Sequence, residues 1–252
     1  MYPILARYGS IFIYSYTVVM AMGIIGGIGL INWSTRRIGL PDWVDALLVL
    51  LLAAVIGGRA GFLFSHWAYF QQQPQEAWQF WQGGLSYQTA LLAGLLALAG
   101  WTFVKKRSFH RYASTFAPAF ILVAIFGWAA CWFEGCAYGR ETIISMLSAD
   151  LPDEYGVFSV RYQTQSAGVL LLSAVFLFIL WHQKHQPYRY VFWMALAAVS
   201  LSHLLISLMR GDPVAAVGQV RLDTLFNAVL AAVSLLLLQY ERRKSRDKLE
   251  IS

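Results

Sequence analysis

An all-α integral membrane protein with seven membrane-crossing helices is the fold class this chain predicts, on three observations. Seven mostly apolar runs of about 18 residues or more follow one another, each long enough to cross a hydrocarbon core about 30 Å thick. The 252-residue chain is 58% hydrophobic and only 13% charged, about half the charged fraction of a soluble domain. Its 10 Trp and 13 Tyr are the residues that settle at membrane–water interfaces. A single polytopic membrane domain over residues 1–252 accommodates all seven runs.

The first span is Ser10–Trp33. Little positive charge precedes it and no small-residue cleavage site follows, so it reads as a span and not a cleaved signal. The second, Trp43–Phe70, encloses Gly57-Gly58-Arg59-Ala60-Gly61. Between it and the third lies Gln71–Gly84, with Gln71-Gln72-Gln73-Pro74-Gln75 followed by Trp78, Phe80 and Trp81, an amphipathic stretch suited to the outer membrane surface. The third span, Tyr87–Val104, carries Gly94 and Gly100 as expected helix-packing sites. The fourth is Ser114–Cys136, the fifth Thr164–Trp181, the sixth Tyr190–Met209 and the seventh Gly218–Tyr240. The largest connection, 141–161, holds Glu141, Asp150, Asp153 and Glu154 with Pro152 and Gly156; it reads as an extracytoplasmic loop or small cap.

Thirteen of the 19 Lys and Arg residues fall in the first, third and fifth connections and in the tail 241–252. The positive-inside rule then places the N-terminus outside and the basic tail in the cytoplasm, as an odd number of spans requires. The net charge of +6 is thereby assigned to topology and to anionic lipid, with no nucleic acid as partner.

The remaining arginines are Arg59 and the outer set Arg7, Arg140, Arg161, Arg210 and Arg221. Arg59 falls roughly 13–17 Å from the outer end of the second span. A guanidinium inside a bilayer costs about 2.5–3.5 kcal/mol on insertion scales and marks a functional site by default. Planar guanidinium forks match phosphate oxygens bidentately, so the expected partner is an anionic phospholipid headgroup, gripped from the extracytoplasmic side. The alternative for Arg161 and Arg221 is pairing with loop acids or snorkelling to headgroups.

Several segments, in order, resemble the bacterial prolipoprotein diacylglyceryl transferases. Gly57-Gly58-Arg59-Ala60-Gly61-Phe62 is similar to that family's Gly-x-Arg-x-Gly-Tyr. Trp81-Gln82-Gly83-Gly84-Leu85-Ser86-Tyr87 is similar to its Trp-x-Gly-Gly-Met-Ser-Phe. Phe133-Glu134-Gly135-Cys136-Ala137-Tyr138-Gly139-Arg140 resembles the signature ending Asn-Gly-x-x-x-Gly-Arg, and Met209-Arg210-Gly211-Asp212-Pro213 its Arg-x-Pro-Asp turn, followed by Gly218-Gln219. The resemblance implies an enzyme of the bacterial cytoplasmic membrane that moves the diacylglyceryl group of phosphatidylglycerol to a cysteine thiol of a prolipoprotein, presented by its signal peptide. It implies substrate-binding roles for Arg59, Arg140, Arg210, Tyr87, Gly58, Gly84 and Gly139; the sequence itself shows no metal-ligand cluster or phosphate-cradling glycine loop, so no metal or other cofactor is expected. Such chemistry needs cations for the leaving phosphate and a deprotonated thiol.

Two positions depart from the family pattern. Gln88 stands where the family has a histidine, and Trp128 where it has an arginine. Gln cannot accept a proton at neutral pH. The candidates to share the catalytic work with Gln88 are therefore His203 in the sixth span and Glu134 beside Gly135. His66, among Trp67 and Tyr69, reads as interfacial, as do Tyr14 and Tyr16. With both departures the alternative is a non-catalytic phospholipid-binding protein on the same scaffold. Cys131 and Cys136 would lie about 140° apart around a helix, so apolar packing is expected of them and a bridge is not.

Overall fold

The computed structural model describes residues 4–9, 11–79, 83–143, 147–153 and 155–250. Ser10, Phe80, Trp81, Gln82, Glu154 and the side chains of Arg246 and Lys248 lie outside the described residues. The element order is β1 (Ile4–Tyr8), β2 (Ile11–Tyr14), α1 (Ser15–Ile38), α2 (Trp43–Ser65), α3 (Trp67–Gln72), a 3-10 turn (Pro74–Trp78), α4 (Tyr87–Val104), α5 (Phe109–Glu134), β3 (Ser148–Pro152), β4 (Phe158–Tyr162), α6 (Thr164–His182), α7 (Tyr188–Ser207), β5 (Ala216–Val217), β6 (Val220–Arg221) and α8 (Leu222–Glu250). Among the described residues, α1, α2 and α4 to α8 are the seven helices long and apolar enough to cross a membrane.

Several span boundaries differ from the sequence expectation, among them the end of α1 at Ile38 and the start of α5 at Phe109; three have a local cause in the chain. The first helix starts five residues late, because Ile11–Tyr14 pairs antiparallel with Ile4–Tyr8 around Gly9 at φ 62°. Aromatic and β-branched residues suit a strand as well as a span. The second helix stops at Ser65, where His66 leaves helical geometry at φ −119° and ψ 32°, and α3 begins afresh. Gly218, at φ 62°, belongs to the tight turn between β5 and β6 and not to the last helix; the positive φ is what glycine supplies there.

The chain packs as two compact units, Thr35–Ala113 and Met1–Ser34 with Ser114–Ser252. In the first, α2 and α4 meet along small residues. A Cβ on Gly57 would lie 2.2 Å from Ala93 Cβ, and one on Gly61 2.0 Å from Thr89 Oγ1. Apolar helices in lipid gain little by hiding from it, so close backbone contact supplies the attraction. Gly94 packs in the same way against Ala54, whereas Gly100 meets nothing within 4 Å and is not a packing site. At the other end of α2, Tyr112 donates to Pro41 O (2.6 Å), Arg111 to Ile38 O (2.8 Å), and Arg107 pairs with Asp42 (3.1 Å).

In the second unit, α1 lies on α5 through Gly23 against Phe126 and Gly27 against Val123. Helix α7 packs between α6 and α8, around a core that includes Leu172, Ile179, Val191 and Ile206. Strands β3 and β4 form a hairpin within the connection 141–161, in register from Ser148↔Tyr162 to Pro152↔Phe158. Asp153 closes it, its Oδ1 accepting from the backbone N–H of Tyr155 (2.9 Å) and Val157 (3.0 Å).

Candidate functional site

Within Thr35–Ala113 the chemistry gathers at Arg59. Because α2 ends at Ser65, Arg59 lies only about 9 Å from the helix end, nearer to it than the apolar run implies. Its side chain is buried, with 5% of the residue exposed. Nε donates to Ala77 O (2.9 Å), Nη1 to Gly83 O (2.7 Å) and Gly84 O (3.4 Å), and Nη2 to Glu76 O. The Phe62 and Phe70 rings stand 5.7 and 5.5 Å from its Cζ, within cation–π range. The fork that the sequence assigns to a lipid phosphate is thus set on backbone carbonyls.

The glycines around it serve the same loop. Gly83 and Gly84 take φ of 85° and 75°, and a Cβ on Gly84 would lie 2.5 Å from the Phe62 ring. Gly58 O accepts from Ser86 N–H (2.9 Å). The room at Gly58 and Gly84 is therefore filled by the chain itself. Nearby, the Tyr69 hydroxyl donates to Glu76 Oε2 (2.6 Å), a bond that raises the phenol above its ordinary value. Tyr87 opens α4 and is exposed. Ser86 Oγ donates to Gln88 Oε1 (2.9 Å), leaving the Gln88 amide nitrogen as the donor end.

In the other unit the signature segment is a turn knitted on three sides. Gly135, at φ 80°, donates to Cys131 O (2.8 Å) and turns the chain back at the end of α5. Helical geometry fails at that residue, so Cys136 returns to Cys131 and the two form a disulfide, with Cα atoms 4.8 Å apart. This corrects the expectation of two unbridged cysteines. Gln165 donates to Cys136 O (2.8 Å) and Thr164 to Ala137 O (2.6 Å). Arg140 N–H donates to Met209 O (2.9 Å) and Gly211 N–H to Tyr138 O (2.9 Å), and Gly139 bridges to Arg210. A Cβ on Gly139 would lie 2.2 Å from Tyr162 O, so that glycine too makes room for the protein's own backbone.

The arginines of this unit have different partners. Arg161 is buried, pairs with Asp153 (3.1 Å) and Glu141 (3.3 Å), and lies over Tyr138; this is the loop-acid pairing foreseen as its alternative. Arg210 donates through Nε to Asp212 Oδ1 (2.8 Å) and pairs through Nη2 with Asp212 Oδ2 and through Nη1 with Asp223 (3.3 Å). Arg221 bonds Asp223 Oδ1 (3.1 Å), Asp212 O (2.8 Å) and Asp212 Oδ1 (3.4 Å). Two cations and two carboxylates form a closed, neutral square. Partial burial works against the Arg221 charge, but the carboxylates outweigh it and its pKa is raised. Asp223 also accepts from Thr224 N–H (2.8 Å) in the first turn of α8, where a negative charge suits the helix dipole. Behind it, Asn227 donates to Asp223 O (2.7 Å). The sequence shows Asp212 only as part of the turn after Arg210 and does not single out Asp223; the signal for their pairing is the spacing Arg-x-Asp, present at 210–212 and again at 221–223.

Arg140 differs. It is exposed, lies over the Tyr162 ring at 5.8 Å, and forms no ion pair among the described residues. Glu134, exposed at the last residue of α5, likewise forms none there. Trp128, at the position of the family's arginine, is buried over Gly168, whose Cβ would meet the indole at 2.4 Å. The His203 ring stands 5.9 Å from it.

These features define a multi-pass helical membrane protein whose buried arginines are fixed by loops at helix ends. A sequence profile of the prolipoprotein diacylglyceryl transferases matches residues 3–240, and the chain belongs to that family. It is 27% identical over 255 residues to the phosphatidylglycerol–prolipoprotein diacylglyceryl transferase of Symbiobacterium thermophilum, covering 97% of this chain and 94% of that one. To the enzyme of the same name from Corynebacterium glutamicum it is 30% identical, over 84% and 75% of the two chains. To a phosphatidylglycerol–prolipoprotein diacylglyceryl transferase 2 of Clostridium perfringens it is 25% identical, over 95% and 96%.

Proposed function

We propose that this protein transfers the diacylglyceryl group of phosphatidylglycerol to a prolipoprotein cysteine, at the outer face of the bacterial cytoplasmic membrane. The N-terminus would lie outside, residues 141–161 would cap the site, and the tail 241–252 would be cytoplasmic. The observation that carries the reading is the match over residues 3–240, with three relatives named for that reaction.

In the proposed step the cysteine thiolate attacks the glycerol carbon that bears the phosphate ester. A C–S bond forms, the C–O bond breaks, and glycerol phosphate leaves with the bonding electrons. Arg140, exposed and without an ion pair among the described residues, takes the phosphate oxygens. A positioned cation of this kind is worth about 10²–10³ in rate. Arg210 adds a second fork if the lipid phosphate displaces the Asp212 carboxylate from it. The Gln88 amide N–H₂ donates to an anionic oxygen, as its geometry allows and as its chemistry requires, since it accepts no proton. Glu134 is the proposed acceptor of the thiol proton, being an exposed carboxylate beside the signature turn. His203, beside Trp128 within α7, is the second choice. Tyr87, exposed at the start of α4, is a proposed hydrogen-bond partner of the lipid.

The test is transfer of labelled diacylglyceryl from phosphatidylglycerol vesicles to a lipobox peptide by purified protein. We expect transfer by the parent, a loss of about 10² in kcat/KM for Arg140→Ala, and a large fall for Glu134→Gln. Retention of phosphatidylglycerol with no transfer, beside an active conventional relative, would instead favour the non-catalytic lipid-binding reading that Gln88 and Trp128 motivate.

A further inference from the structure

We infer that Arg59 is a positioning residue: it fixes the backbone at residues 76–77 and 83–84 and does not hold the lipid phosphate. The inference rests on the proposed reaction for its kinetic readout only.

Four described bonds of Arg59 are spread over all three guanidinium nitrogens and reach two separate stretches, Glu76-Ala77 and Gly83-Gly84. A bidentate grip on phosphate uses two parallel N–H groups, so a phosphate would have to evict Arg59 from carbonyls of both stretches, of which Glu76 O also accepts from Gln79 N–H (3.1 Å). Phe62 and Phe70 flank the guanidinium, and the residue is 5% exposed. The chain held in this way leads within two residues to Ser86. There the backbone N–H is fixed by Gly58 O (2.9 Å) and the hydroxyl fixes Gln88 (2.9 Å). Arg59 thus acts on the reaction through the Gly83-Gly84 turn and the orientation of Gln88. Lysine cannot replace it, since a point charge cannot span four acceptors in two stretches.

The experiment uses the full chain in nanodiscs containing phosphatidylglycerol, with a nitroxide at the exposed position Gln75→Cys. The native cysteines are bonded to each other and do not take the label. For Arg59→Lys and Arg59→Met we expect a more mobile label, kcat lower by about tenfold or more, and KM for phosphatidylglycerol within about twofold of the parent. Gly84→Ala, which forces the turn off Phe62 with Arg59 intact, should reproduce both changes; it and Arg59→Lys carry the test if Arg59→Met does not fold. An unmoved label together with a raised KM or a loss of bound phosphatidylglycerol in Arg59→Lys would overturn the inference and make Arg59 a phosphate ligand. A mobile label without loss of kcat would overturn it too. If the parent transfers nothing, the function reading falls alone. The clamp then stands on a mobile label with unchanged lipid retention, and fails on the reverse.

Discussion

Arg59 and Arg210 are both buried or half-buried arginines at helix ends, and they are satisfied in opposite ways. The described acceptors of Arg59 are backbone carbonyls, whereas Arg210 is matched by the side chains of Asp212 and Asp223, which Arg221 shares. A clamp on carbonyls depends on backbone shape, and hence on the positive φ of Gly83 and Gly84. A square of charges depends on residue identity, and it cancels its own field. A cation near a membrane is therefore a ligand site only after its internal partners are subtracted. By that subtraction Arg140, which sits over Tyr162 without an ion pair among the described residues, is the arginine we propose as phosphate ligand in preference to the more deeply buried Arg59.

The largest expected effect lies in the square. Asp223 is 4% exposed, bonds both arginines and accepts from the backbone in the first turn of α8. Asp223→Asn leaves two guanidiniums with half their counter-charge, and breaking a buried pair from one side costs about 3–5 kcal/mol. Thermal unfolding in detergent should show it as a large drop in melting temperature. Asp212→Asn should cost less, because its backbone carbonyl still accepts from Arg221. Equal losses would mean that the square is not a closed unit.

The next effect belongs to the turn beside Arg140. Closing a loop of about six residues by a disulfide stabilises by about 2 kcal/mol in the chain-entropy account. The Cys131→Ser, Cys136→Ser double variant should lose about that much. It should still keep the turn, because Gln165, Thr164 and the Met209–Gly211 strip hold it independently. Loss of transfer far beyond the loss of stability would show that the disulfide shapes the site itself.

The seven spans were legible because a bilayer demands long apolar runs and little else produces them. The hairpin at Ile4–Tyr14 was not, since Ile11-Phe12-Ile13-Tyr14 is apolar enough to extend a span and β-prone enough to leave it. The disulfide was hidden by the assumption that Cys131 and Cys136 share one helix, which Gly135 ends. Arg59, Arg140 and Arg210 were visible as unusual charges, but not their partners. A carbonyl acceptor can come from any residue type, so Ala77 and Gly83 carried no signal in sequence. Asp223 did carry one, two residues after Arg221.

The smallest effect separates the two kinds of arginine site most sharply. Glu76 reaches Arg59 through its backbone carbonyl, while its carboxylate accepts from the Tyr69 hydroxyl (2.6 Å). Glu76→Gln keeps the carbonyl and an oxygen that can still accept from Tyr69, so the clamp should persist, with a melting temperature within about 2 °C of the parent. The Tyr69 phenol should ionise at lower pH than in the parent, because the carboxylate bond is what raises it. That bond's contribution is present below the unfolded phenol value of about 10 and is lost as pH climbs through the raised one. Ultraviolet titration reads this directly. A collapse of stability on the scale of Asp223→Asn would instead make the Glu76 carboxylate the counter-charge of Arg59, and the two arginines would then be satisfied in the same way after all.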